Sequence, residues 1–60
     1  MSVTLTPNIP DADGFYDELI EAHRDLSKAD SDALNARLIL ILSNHIGDRS
    51  VLRAALKAAK

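Results

Sequence analysis

The chain has no cysteine and no tryptophan, and its aromatic complement is one phenylalanine and one tyrosine. Without cysteine there is neither a disulfide framework nor a thiolate zinc site, and with two histidines any structural metal would lean on carboxylates. Two aromatics are too few for a platform on which unpaired bases stack. Glycine occurs twice, in neither case within a phosphate-cradling loop or a nucleophile elbow, so catalysis has no anchor in those motifs. The longest apolar run, Leu38-Ile39-Leu40-Ile41-Leu42, is far shorter than the ~18 residues that suggest a membrane span. The segment Met1 to Pro7 lacks the basic and apolar regions of a signal peptide, and with the absence of cysteine this leads us to expect a cytoplasmic protein.

What is present is one small domain of 60 residues, nearly half of them apolar. A chain of this size buries only about 60% of the surface its unfolded form exposes, so oligomerisation or a partner surface is the expected source of additional stability. Residues 1–10 carry Pro7 and Pro10 and no helical period, which describes an extended leader. Asp11 is a good N-cap, and Phe15, Leu19, Ala22 and Leu26 recur at helical spacing, predicting a first helix over about 12–26. Ser27 to Asp30 resembles a capping box with Asp in place of Glu and predicts that a second helix starts at once, over about 28–46. Gly47 suits the left-handed residue that closes it, and Asp48 caps a third helix over about 49–59, with basic residues toward its C-terminal end. The expected fold is all-α: helices 1 and 2 in a tight antiparallel hairpin, and helix 3 folded back after Gly47.

Helix 2 is the informative element. At 100° per residue Leu34, Leu38, Ile39, Ile41, Leu42, His45 and Ile46 fall within an arc of roughly 160°, with Leu40 outside it. One small neighbour cannot cover that arc, so these seven residues are the expected oligomer or partner interface. A short buried strand over the same run is the competing assignment, disfavoured by the helix-forming Ala33 to Arg37 upstream.

Charge is segregated: residues 1–32 hold eight acids and two bases, whereas residues 33–60 hold five bases and one acid. Attraction between helices 1 and 3 and complementation of helix dipoles account for this most simply. Arg49, Arg53, Lys57 and Lys60 could alternatively form a stripe for nucleic acid, the first three at i, i+4 and i+8, but the chain is net acidic and carries no recognised binding motif. Ser43, His45 and Asp48 are residue types of a hydrolase triad, yet Ser43 and His45 point about 200° apart on a helix. Asp11-Ala12-Asp13-Gly14 fails as a calcium loop because Ile9 and Ile20 would fall where oxygen ligands are required. His23 shares a stripe with Tyr16 and Ile20, where a packed, hydrogen-bonded role is the simplest. No catalytic, cofactor-binding or metal-ligating residue is therefore assigned.

The blocks Ala33-Leu34-Asn35-Ala36-Arg37-Leu38 and Asn44-His45-Ile46-Gly47-Asp48-Arg49, preceded by Phe15-Tyr16 and Ala22-His23, resemble the short bacterial proteins of domain of unknown function 2783. The similarity spans roughly residues 8–56. It brings no activity, ligand or catalytic residue to carry over, and implies a subordinate role beside a larger enzyme. The expected function is a non-catalytic interaction module, either a homo-oligomer or an accessory subunit. A nucleic-acid-associated protein using the basic C-terminal helix is the alternative.

Overall fold

A computed structural model describes residues 3–60 as three helices, α1 (Ala12–Ala22), α2 (Lys28–Ile46) and α3 (Arg49–Ala59), with no strand among the described residues. The leader from residue 3 to residue 9 forms no regular element.

Capping side chains set where each helix begins. Asp11 enters α1 in the left-handed region (φ 50°), which aspartate tolerates better than most residues. From there its carboxylate accepts the backbone N–H of Gly14 at 3.2 Å, and its carbonyl accepts that of Phe15 at 3.1 Å. A Cβ at Gly14 would run into that carboxylate, which explains a glycine inside the first helical turn. Ser27, in extended geometry, accepts the N–H of Asp30 at 3.1 Å to open α2. Asp48 opens α3 by accepting from the Ser50 N–H at 2.9 Å, the Ser50 hydroxyl at 2.7 Å and the Val51 N–H at 3.4 Å.

The first helix ends earlier than its apolar spacing suggests, at Ala22 rather than near residue 26. The N–H groups of His23 and Arg24 donate three residues back, to the carbonyls of Ile20 and Glu21, tightening the last turn. Asp25 then turns left-handed (φ 61°), so Leu26 continues the apolar period while lying in the connection. Gly47 ends α2 at φ 70°, its N–H bonded to the Ser43 carbonyl at 3.0 Å. Two residues therefore separate α2 from α3.

The helices do not enclose a core. Among the described residues no side chain is buried; Val3, Leu19, Leu34, Leu38, Val51 and Leu52 are the large apolar ones that are even half-covered. Of the three helices only α2 and α3 bring their backbones within 8 Å of each other. The tight hairpin of helices 1 and 2 is thus corrected. Among the described residues a hydrogen bond of 2.7 Å from the His23 ring, at the end of α1, to Asn35 of α2 links the two helices, and the connection between them passes through Asp25 in the left-handed region. The radius of gyration is 13.2 Å, against about 10 Å for a compact 60-residue chain.

The caps generate a stability prediction. Ser27→Ala should cost about 1 kcal/mol through the lost α2 cap, and Gly47→Ala about 1–2 kcal/mol because alanine at positive φ crowds its own carbonyl. Urea denaturation followed by circular dichroism at fixed protein concentration measures both; an unchanged midpoint in either variant would contradict the corresponding cap.

Candidate interaction surface

Successive residues of an α-helix step round its axis by about 100°, so the four residues Ile39 to Leu42 sample nearly the whole circumference of α2. A helix that is apolar all round belongs inside a larger body. Here Ile39, Leu40 and Ile41 are 62%, 69% and 64% exposed, and Leu42 and Ile46 are about half exposed. Of the seven residues expected at an interface, Leu34 and Leu38 are half-covered, while Ile39, Ile41, Leu42, His45 and Ile46 are exposed. The structure adds Leu40, which the 160° arc leaves out and which is the most exposed of the run.

α3 supplies the second half of the surface. Val51, Leu52, Ala55, Leu56 and Ala59 make one apolar side, which at Leu52 and Ala55 leans on α2. An open groove of about 470 Å³ runs between the two helices, lined by Ile39, Ser43, Leu52, Ala55, Leu56 and Ala59 and almost wholly apolar. Beside it, Arg49, Leu52, Arg53 and Leu56 line a shallower depression of about 210 Å³. Leu52 and Leu56 are shared by both, and Leu56 is 68% exposed. These α3 residues were not among those expected at the interface; the i, i+4 pair Leu52 and Leu56 is the signal in the sequence that points to them.

The charges do not meet. The ion pairs within the chain are Arg24 to Glu21 and Lys28 to Asp32, both at 2.8 Å and both local to the acidic half. Among the described residues Arg37, Arg49, Arg53, Lys57 and Lys60 form no ion pair. The expected attraction of helix 1 to helix 3 is not realised within one chain, since α1 and α3 lie too far apart. Of the bases of α3, Lys57 lies in the last turn and Lys60 at the C-cap, as expected, whereas Arg49 opens the helix, where its charge opposes the dipole.

The remaining polar candidates have structural occupations. Asp48 is held below the usual carboxylate range by the Ser50 hydroxyl and the Ser50 and Val51 N–H groups, as a helix cap requires. Its cap is therefore intact above that range and fails as pH falls through the lowered value. His23 places Nδ1 at 2.7 Å from the Leu19 carbonyl oxygen and Nε2 at 2.7 Å from Asn35 Oδ1. Both partners are acceptors, so the doubly protonated ring satisfies both; the Leu19 carbonyl and then Asn35 raise its pKa above 6.5. No three His, Asp or Glu side chains among the described residues cluster as metal ligands, and no described helix is long and apolar enough to cross a membrane.

His23 thus makes the link between α1 and α2 dependent on pH. A pKa raised by folding means that the link is complete below about pH 6.5 and is lost as pH rises through the raised value. In an NMR titration the His23 ring should titrate above the ordinary value, and Asn35→Ala should bring it back down; titration at or below the ordinary value in the parent would contradict the two-acceptor geometry.

No curated protein and no solved structure matches this chain. One family profile, described as a protein of unknown function, DUF2783, matches residues 3–60. The match takes in all three helices, both connections and the exposed α2 and α3 surface. On that coverage the chain belongs to the DUF2783 family.

Proposed function

We propose that the protein is a small non-catalytic interaction module, either a homo-oligomer that completes its core by self-association or an accessory subunit of a larger cytoplasmic enzyme, and that self-association is the reading the exposed surface favours. The observation that carries this is the exposed apolar run Ile39 to Leu42 of α2. A compact 6.5 kDa chain exposes about 3,800 Å², whereas this one exposes 5420 Å². Compacting two copies into one body would remove about 4,500 Å² in total, within the range of permanent homodimer interfaces. Any enzymatic chemistry would be the partner's, because this chain offers helix caps and apolar side chains rather than convergent reactive groups.

A nucleic-acid-associated role is the second reading, favoured by the bases of α3, which form no ion pair among the described residues. It requires binding that weakens steeply with salt. Absence of a salt-dependent mobility shift with both duplex and single-stranded probes would end it.

The interaction reading is tested by light scattering after size exclusion. The parent should elute as a multiple of 6.5 kDa, and Ile41→Asp should return it to that mass with reduced helicity. A parent that is monomeric, with Ile41→Asp equally helical, would overturn it.

A further inference from the structure

The acidic and basic helices carry the same residue pattern with opposite charge. In α1, Asp13, Asp17 and Glu21 stand at i, i+4 and i+8, with Tyr16 and Ile20 at i+3 and i+7. In α3, Arg49, Arg53 and Lys57 occupy i, i+4 and i+8, with Leu52 and Leu56 at i+3 and i+7. Each helix has eleven residues, and each presents a charged ridge bordered along one edge by an apolar one. Tyr16, Ile20 and Leu56 are exposed, Leu52 is half-covered, and the depression on α3 is formed by Arg49, Leu52, Arg53 and Leu56.

We propose that α1 of a second copy lies antiparallel on this ridge of α3, and reciprocally, so that Asp13 faces Lys57, Asp17 faces Arg53 and Glu21 faces Arg49 across the two subunits. The proposal rests on the self-association argued above and adds contacts of α1 and α3 to those of the exposed α2 run. Within one chain α1 and α3 do not approach; Glu21 pairs with the exposed Arg24 at 2.8 Å, while Asp13, Asp17 and the three α3 bases form no ion pair among the described residues. Tyr16 and Ile20 would enter the apolar groove at Leu52 and Leu56, whose floor continues over Ile39 of α2. Reciprocal seating is the two-fold, self-complementary arrangement that closes a dimer and leaves no copy of either ridge open.

The antiparallel sense follows from the helix ends. Glu21 lies in the last turn of α1 and Arg49 in the first turn of α3, each opposed to the dipole of its own helix. Laid antiparallel, each of these charges meets the oppositely charged side chain, and the two dipoles oppose. Laid parallel, the same charges would still pair, Glu21 with Lys57 and Arg49 with Asp13, but the two dipoles would align instead of opposing. Asp17 opposite Arg53 is the centre of the ladder.

Complementary charge reversal tests the arrangement. One variant carries Asp13→Lys and Asp17→Lys, making both ridges basic; the other carries Arg53→Glu and Lys57→Glu, making both acidic. No buried group is altered in either, and circular dichroism reports whether each keeps its helices. Analytical ultracentrifugation at a concentration where the parent is dimeric should find each variant alone at monomer mass, its dissociation constant weakened at least roughly 30-fold. An equimolar mixture should re-form a dimer of one copy of each, because the basic α1 then meets an acidic α3 and the acidic α1 a basic α3. Two variants that separately keep the parent's dimer would overturn this seating while leaving self-association standing. A mixture that stays monomeric would overturn it as well, and a parent that is itself monomeric would remove the self-association beneath it. A parent that binds a DNA duplex as a monomer, with binding abolished by Arg53→Glu and Lys57→Glu, would assign the ridge to nucleic acid instead.

Discussion

Apolar surface in excess of what three short helices can cover is the constraint on which the rest of this structure depends. The run Leu38 to Leu42 places apolar side chains on every side of α2, while α3, with eleven residues, reaches only one of those sides. α1, held by the His23 to Asn35 bond, does not come near enough to cover another. Exposed leucine and isoleucine are individually ordinary. A contiguous band of them, in a chain without any buried side chain among its described residues, is the observation on which the proposed self-association rests.

The connections explain why the chain does not solve the problem internally. Ser27 caps α2 within a few residues of the end of α1, and Gly47 and Asp48 turn the chain with nothing to spare. Such connections fix directions at the expense of reach. Asp25 adopts the left-handed region in the connection between α1 and α2, and the acidic helix does not approach the basic one. Local geometry thus leaves two complementary helices apart in one chain, which a symmetric pairing of chains can bring together.

Much of this was legible in the sequence where the determinant is local. Ser27, Gly47 and Asp48 act on residues within four positions, so the boundaries of α2 and α3 can be read from residue type alone. The end of α1 was not legible in that way. Leu26 keeps the apolar period beyond the helix, and nothing in the identity of Asp25 compels a left-handed turn. The candidate surface was legible in part: its α2 members stand out as a run, whereas Leu52 and Leu56 look like ordinary core residues of an amphipathic helix until the structure leaves Leu56 uncovered. Gly14 is the instructive local case, since its role appears only once the Asp11 carboxylate is seen in the space that a Cβ would fill.

The central claim is that folding and association are one process in this protein. The most direct measurement is the thermal midpoint as a function of protein concentration, followed by circular dichroism. For a dimer of 60-residue chains unfolding to separate monomers, the midpoint should rise by about 6 °C for each tenfold increase in concentration. A cooperative transition whose midpoint is independent of concentration across two decades would contradict the account, because it would mean that one chain holds its helices without another.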